Sequence, residues 1–285
     1  MSLKSAQMQK PLIMGILNTT PDSFSDGGLY STPQEYLSRA LELIEQGADI
    51  IDIGAESTRP GSQLLEEEEE WNRLEPTLKI IAKEKLSHSI SIDTRKSSVA
   101  RKALNYFTNQ DMNVKYINDV SALNDSHMVS VIAEFPHSKM ILNHHRGIPP
   151  SSKNVITNPN LIEEIVSFFK ERIALAKRAG VKEEQIILDP GLGFGKNTEE
   201  NIFILNNLGK IKRHFDLPLL IGASRKRFVR EYWDTSGNNI LMQDIGSMSF
   251  ALLGILNGAD IIRCHNPLIH KPLKELSTQL FQPPE

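Results

Sequence analysis

The chain has a single cysteine, Cys264, among its 285 residues, which excludes an internal disulfide and fits a reducing compartment. It has no apolar run near the roughly 18 residues needed to cross a bilayer. The opening MSLKSAQMQKP carries no apolar stretch of the secretory type. Charge of neither sign is in excess: 32 Lys and Arg against 35 Asp and Glu give a net charge of −3. That balance argues against nucleic acid or an anionic membrane as the main partner, so any basic site must be local. Nucleotide signatures are missing too. LNTTPDSFSDGG after the first strand is no dinucleotide fingerprint, and DPGLGFGKN lacks P-loop spacing. Metal-site spacing is absent, because His144 and His145 are adjacent and point apart. The expectation is a soluble, cytoplasmic protein that binds neither nucleic acid nor membrane.

What is present is an alternation. Short apolar runs such as PLIMGILN, ADIIDIG, SISID, QIILDPG and ADIIRCH are separated by longer amphipathic stretches, the first of them Pro33 to Gly47, with proline at its start and glycine past its end. The count is eight strands and eight helices, and strict alternation with apolar strands implies a parallel sheet covered by helices. Eight units over about 270 residues predict a single α/β domain, a (β/α)₈ TIM barrel, with its active site at the C-terminal ends of the strands. No linker divides residues 1–285, and 1–10 read as a flexible N-terminal extension. Gly47-Ala48-Asp49-Ile50-Ile51 reappears as Gly258-Ala259-Asp260-Ile261-Ile262. This is either an internal echo or common helix-to-strand loop chemistry.

The strand ends carry the chemistry. In order they present Asn18, Glu56 to Arg59, Asp93, Asn118 with Asp119, Asn143 with His144, Asp189, Ser224 to Lys226, and Arg263 with His265. The opposite ends start with bland residues such as Pro11, Ala48, Ser89 and Pro218. A barrel built only for stability does not need that asymmetry. Asp93, Asn118, Asp189 and Lys226 together suit a flat, nitrogen-rich heterocycle, because a carboxylate accepts two adjacent N–H donors side by side and the lysine serves a ring acceptor. Each carboxylate has a plainer alternative as a helix N-cap, above all Asp93. Asn18, Arg263 and His265 form a second set suited to a phosphorylated leaving group, Arg263 and His265 sharing one strand face. Its plainer alternative is one ion-paired arginine and one satisfied histidine.

MGILNTTPDSFSDGG (Met14 to Gly28), DIGAESTRPG (Asp52 to Gly61), SIDTRK, INDVSA, LDPGLGFGKN and GASRKRF resemble the motifs of the dihydropteroate synthase family. They stand in the family's order from residue 12 to about 266. The resemblance implies a barrel enzyme of folate synthesis that joins dihydropterin pyrophosphate to p-aminobenzoate, uses Mg²⁺, is a target of sulfonamides, and forms a homodimer. It assigns Asp93, Asn118, Asp189 and Lys226 to the pterin, and Asn18, Arg263 and His265 to the pyrophosphate, with Asn18 also at the metal. Thr58, Arg59 and Pro60 in the second loop and Phe24 in the first would close over the substrates, with Phe194 and Lys226 lining the far wall of the p-aminobenzoate pocket.

Some positions depart from the family pattern. Asn143 and His145 stand where methionines are common, Asn266 where an aspartate is usual, and Arg227 where many members have a serine near the arylamine carboxylate. Arg227 either reaches that carboxylate or simply starts the next helix. Two other functions remain compatible with a pterin-binding barrel: a methyltetrahydrofolate-dependent corrinoid methyltransferase, and a non-catalytic pterin-binding paralogue. The DSFSDGG and STRPG loops and the Ser-Arg-Lys run argue against the first, and retention of Asn18, Asp93, Lys226 and Arg263 against the second.

Overall fold

A computed structural model describes residues 10–20, 32–58, 62, 64–86, 88–110, 114–149 and 158–280. The expected N-terminal extension therefore lies almost wholly outside the described residues. Eight strands alternate with helices: β1 (Leu12–Asn18), β2 (Ile50–Gly54), β3 (Ser89–Asp93), β4 (Val114–Asp119), β5 (Lys139–Asn143), β6 (Ile186–Asp189), β7 (Leu220–Ile221) and β8 (Ile261–Cys264). All pairings are parallel, in the order β6-β5-β4-β3-β2-β1-β8-β7. A parallel bridge between Leu188 and Leu219, with Leu188 N donating to Pro218 O at 2.9 Å, joins β6 to β7 and completes the ring. The chain is a (β/α)₈ barrel.

The helices are α1 (Pro33–Glu45), α2 (Glu67–Lys83), α3 (Ser97–Thr108), α4 (Met128–Glu134), α5 (Leu161–Arg178), α6 (Thr198–Asn206), α7 (Leu208–Phe215), α8 (Arg227–Trp233), α9 (Ile240–Leu256) and α10 (Pro267–Leu280). Local chemistry sets their starts. Thr32 caps α1 in a capping box with Glu35, and Asn197 caps α6 in the same way with Glu200. Glu67 to Glu70 place negative charge on the first turn of α2, where the helix dipole favours it. Two features add to the expected count of eight. The stretch after β6 is broken into α6 and α7, and a short α8, starting at Arg227 as one reading of that residue has it, precedes α9. The seven residues of α8 are too few to show a helical period.

Strand alternation divides the apolar residues. Met14, Ile50, Tyr116, Ile141, Ile187, Leu220 and Ile261 fill the barrel lumen, while the outward strand residues pack with the helices in one larger core. At the bottom of the barrel the repeated Gly-Ala-Asp performs one job twice. Asp49 accepts the N–H of Ile13 at 2.8 Å and pairs with Lys274, and Asp260 accepts the N–H of Leu219 at 2.8 Å and pairs with Lys212. Each aspartate thus fastens the start of a neighbouring strand.

Helix α9 lies very close to β7. A Cβ added at Gly254 would come within 2.1 Å of Ile221 Cδ1, which is fully buried. Alanine for glycine inside an exposed helix stabilises by about 1 kcal/mol, but overpacking a filled core costs about 1–3 kcal/mol. Gly254→Ala is therefore expected to lower stability, read as a lower urea midpoint. A raised midpoint would show that the contact relaxes freely.

Candidate active site

Above the apolar lumen, toward the C-terminal ends of the strands, the inward positions become polar. Arg263 on β8 stands at the centre. Its Nε donates to Asp52 Oδ2 at 2.6 Å and its Nη2 to Asp93 Oδ2 at 2.7 Å. Asn118 Nδ2 donates to the same Asp52 oxygen at 3.1 Å. Burial alone would pull the Arg263 guanidinium down, but the carboxylates of Asp52 and Asp93 outweigh it and hold Arg263 above its usual range. Burial pushes Asp93 up to about 8, against Arg263 and with a further push from Asp52. Asp93 is therefore no helix cap: α3 takes Lys96 at its N-cap position, and Asp125 accepts the N–H of Ser97.

A second polar group sits on β5, β6 and the loops beyond. Asp189 accepts from Gly191 N at 2.8 Å and from Asn143 Nδ2 at 2.9 Å, and burial raises its pKa despite Lys226. Lys226 lies 4.7 Å from the centre of the Phe194 ring and donates to Leu192 O. Burial lowers its pKa to about 8, with Asp189 opposing. The glycines of DPGLGFGKN are what let this loop wrap so tightly. Gly191 has φ +69° and Gly193 φ +79°, and added Cβ atoms would stand 1.8 Å from His144 O and 2.9 Å from Lys226 Cδ. Beneath the loop the buried Lys196 donates to Gly191 O at 2.8 Å and His144 O at 3.1 Å, and burial lowers its pKa to about 7.

The remaining expected residues flank these groups. Asn18 ends β1 opposite Gly54, half-buried. His265 is buried beside β7, where its Nδ1 lies 2.9 Å from Ser224 Oγ and its backbone N–H donates to the same hydroxyl at 3.1 Å. Thr58 is half-buried on the loop after β2. Phe24, Arg59 and Pro60 lie outside the described residues. Arg263, read from the sequence with the phosphate set, is bonded here to the carboxylates, so the two sets meet at one side chain. Arg227 is the first residue of α8, about half exposed, with its Nε 3.5 Å from Glu231 Oε1.

Two strand-end residues prove to be braces. Glu56 is salt-bridged to Arg95 and Lys96, both at 2.7 Å, and accepts the N–H of Leu65 at 2.8 Å, while Lys96 also reaches Glu70. Asp119 points out of the barrel and holds the turn through Ser121 and Leu123. Conversely, Asp52 was missed. It sits two residues before its strand ends, so a search of strand ends passes over it. The available signal was a carboxylate at an inward position between Ile50 and Gly54 of an otherwise apolar strand.

With this geometry in place, comparison with known proteins is informative. Residues 14–265 match the family described as pterin binding enzyme. The dihydropteroate synthase of Neisseria meningitidis serogroup C is 40% identical over 263 residues, covering 91% of this chain and 89% of that protein. The chain belongs to the dihydropteroate synthase family. Among solved structures, Yersinia pestis dihydropteroate synthase with a sulfonamide drug superposes with a TM-score of 0.85 at 33% identity, covering 95% of this chain and 94% of that one. Xanthomonas albilineans dihydropteroate synthase with 4-aminobenzoic acid gives 0.83 at 32% identity, with coverages of 97% and 95%. Set in the dihydropteroate synthase fold, the Arg263 and Asp189–Lys226 groups occupy the barrel end where enzymes of this architecture do their chemistry.

The wall behind Asp189 holds His144, whose ring packs edge-on against Phe168 and lies 3.4 Å from Glu164. Burial first, and then Lys196, lower its pKa from 6.5 to about 4 despite Glu164. The folded protein thus keeps His144 neutral where the unfolded chain would protonate it. Its contribution to stability is complete above pH 6.5 and is lost as the pH falls toward 4. Between pH 7.5 and 5 wild type should lose about 2 kcal/mol more stability than His144→Asn. Urea unfolding at the two pH values reads the difference, and equal losses would contradict a neutral buried imidazole.

Proposed function

We propose that this chain is a dihydropteroate synthase, condensing 6-hydroxymethyl-7,8-dihydropterin pyrophosphate with p-aminobenzoate to 7,8-dihydropteroate and pyrophosphate in folate biosynthesis. The observation that carries this is the pairing, inside one barrel mouth, of an acceptor-rich floor with a half-buried lysine over an aromatic ring. Asp189 is the acceptor for adjacent N–H donors of the pterin, Asn118 and Asp93 flank it, and Lys226 serves a ring acceptor. Asp52 Oδ1 and Asn143 Oδ1 are further buried acceptors with no hydrogen-bond partner among the described residues. Such a surplus of acceptors suits a ring that brings donors.

The chemistry needs no protein nucleophile. The buried thiol of Cys264 is pushed well above its usual range by burial, which leaves it inert. The bond from the pterin methylene to the pyrophosphate oxygen breaks with its electron pair on oxygen. The arylamine nitrogen then bonds to that carbon and gives up a proton. The Asp52–Asp93 pair presents its carboxyl oxygens to the positive charge that develops on the pterin, while Arg263 and His265 face the departing anion. The amine has only to be held in line, beside Phe194, the stem of Lys226 and the loop that carries Thr58. Sulfonamides would compete there as p-aminobenzoate mimics.

Mg²⁺ fits the donor set. No cluster of three or more His, Cys, Asp or Glu suited to a metal occurs among the described residues. Mg²⁺ does not require one, because it commonly binds through one or two protein oxygens, water and substrate phosphates. The amide oxygen of Asn18, at the end of β1, is such a donor, and the ion's part is to neutralise the leaving pyrophosphate. A homodimer is supported by α9, which is apolar around much of its circumference and leaves Ile240, Leu241 and Leu256 exposed. No helix among the described residues is long and apolar enough to cross a membrane. That agrees with cytoplasmic residence.

Pyrophosphate release with dihydropterin pyrophosphate, measured with and without p-aminobenzoate, tests the reaction. Release that depends on both substrates is expected, and none would refute the assignment. Asp189→Asn turns one acceptor into a donor facing donors. It should weaken a pterin analogue by about 2–4 kcal/mol in calorimetry, and unchanged affinity would remove Asp189 from the site.

A further inference from the structure

The turn after β7 gives three successive residues three different directions. Ser224 binds His265, and Lys226 reaches the face of the Phe194 ring. Arg225 between them has φ +55°, a left-handed conformation that a non-glycine residue adopts only when its surroundings hold it there. Its side chain leaves the barrel and meets α9. There Nε and Nη2 donate to the two oxygens of Asp244 at 2.7 and 3.0 Å, and the backbone N–H of Arg225 donates to Ser247 Oγ at 2.9 Å. Asp244 is 3% exposed on a helix otherwise dominated by apolar residues. A carboxylate in such a position is costly unless it is paired. One of its oxygens also accepts from Asn266 Nδ2 at 2.9 Å, and Asn266 lies directly after His265.

We infer that Asp244 is a positioning residue for the reaction, holding the Ser224–Arg225–Lys226 turn and the end of β8 in one register from outside the barrel. The claim rests on the proposed synthase activity. Asp244 also places a negative charge against Asn266, the position where the family pattern has an aspartate. Asp244 lies on α9, outside the barrel, and its side chain hydrogen-bonds Arg225 and Asn266. Because the charge has two neighbouring places to reside, it can be moved experimentally. In an Asp244→Asn/Asn266→Asp double variant the new carboxylate at 266 stands beside the new amide at 244, within one hydrogen bond of where Arg225 donates now.

The test compares wild type, Asp244→Asn and the double variant in steady-state pyrophosphate release, with pterin-analogue calorimetry and thermal melting on the same samples. Asp244→Asn should lose on the order of tenfold to a hundredfold in kcat/KM, the scale of a small misplacement of reacting groups. It should also bind the pterin analogue more weakly, because Lys226 shifts. The double variant should return to within about threefold of wild type, as expected for neighbours that share one interaction. Rescue would support the inference even if the single variant folds too poorly to assay. Two results would overturn it: a folded Asp244→Asn with wild-type kinetics and only a lower melting temperature, or a double variant no better than the single one. If wild type releases no pyrophosphate, the synthase assignment fails by itself, and the pterin affinities of the three proteins still decide the role of Asp244.

Discussion

Two carboxylates and one guanidinium share the centre of this barrel, and the rest of the site is arranged around that unequal count. Asp52 is wholly buried, Asp93 only partly so, and Arg263 spans both. Unpaired, either carboxylate at this depth would be expensive. Burial first, and then the neighbouring Asp52 carboxylate, drive Asp93 toward neutrality against the pull of Arg263. A unit of this composition has an appetite for donors and for positive charge. In the proposed reaction, a donor-rich pterin that becomes cationic as its leaving group departs would answer to both.

The surroundings of that unit are fixed by two different means. On the β5–β6 side the means is backbone geometry: close-approach glycines let the loop fold over Lys196 and press Phe194 toward Lys226. On the β2–β3 side it is ion pairing, with Glu56, Arg95, Lys96 and Glu70 lashing the loop after β2 to the start of α3. Glu56 is thus committed to its neighbours rather than to substrate. Ser57 and Thr58 follow it on a base that is already immobilised.

The fold was legible because period and punctuation agreed. Apolar runs of strand length, proline and glycine at helix borders, and polar strand ends all pointed to one barrel. That Asp93, Asn118, Asp189, Lys226, Arg263 and His265 stand at or just beyond strand ends was legible for the same reason. What escaped depended on three-dimensional neighbours. Asp52 lies below the strand end and matters because Arg263, 211 residues away in sequence, reaches it. Asp244 looks like a helix-surface residue until α9 packs on α8. The division into a heterocycle set and a phosphate set was drawn residue by residue, whereas Arg263 is long enough to belong to both. Short α8 carried no period, and the N-cap alternative for Asp93 was settled by where its side chain points.

Titration of Asp93 tests the central claim, that Asp52, Asp93 and Arg263 behave as one charge system. NMR of protein labelled at the aspartate carboxyl carbons follows Asp93 directly, in wild type and in Asp52→Asn. The neighbouring carboxylate raises the Asp93 pKa, so its removal, which also leaves Arg263 to Asp93 alone, must lower it. The account predicts a value near 8 in wild type and a clearly lower one in Asp52→Asn. An Asp93 that titrates identically in both proteins, or higher in the variant, would contradict it.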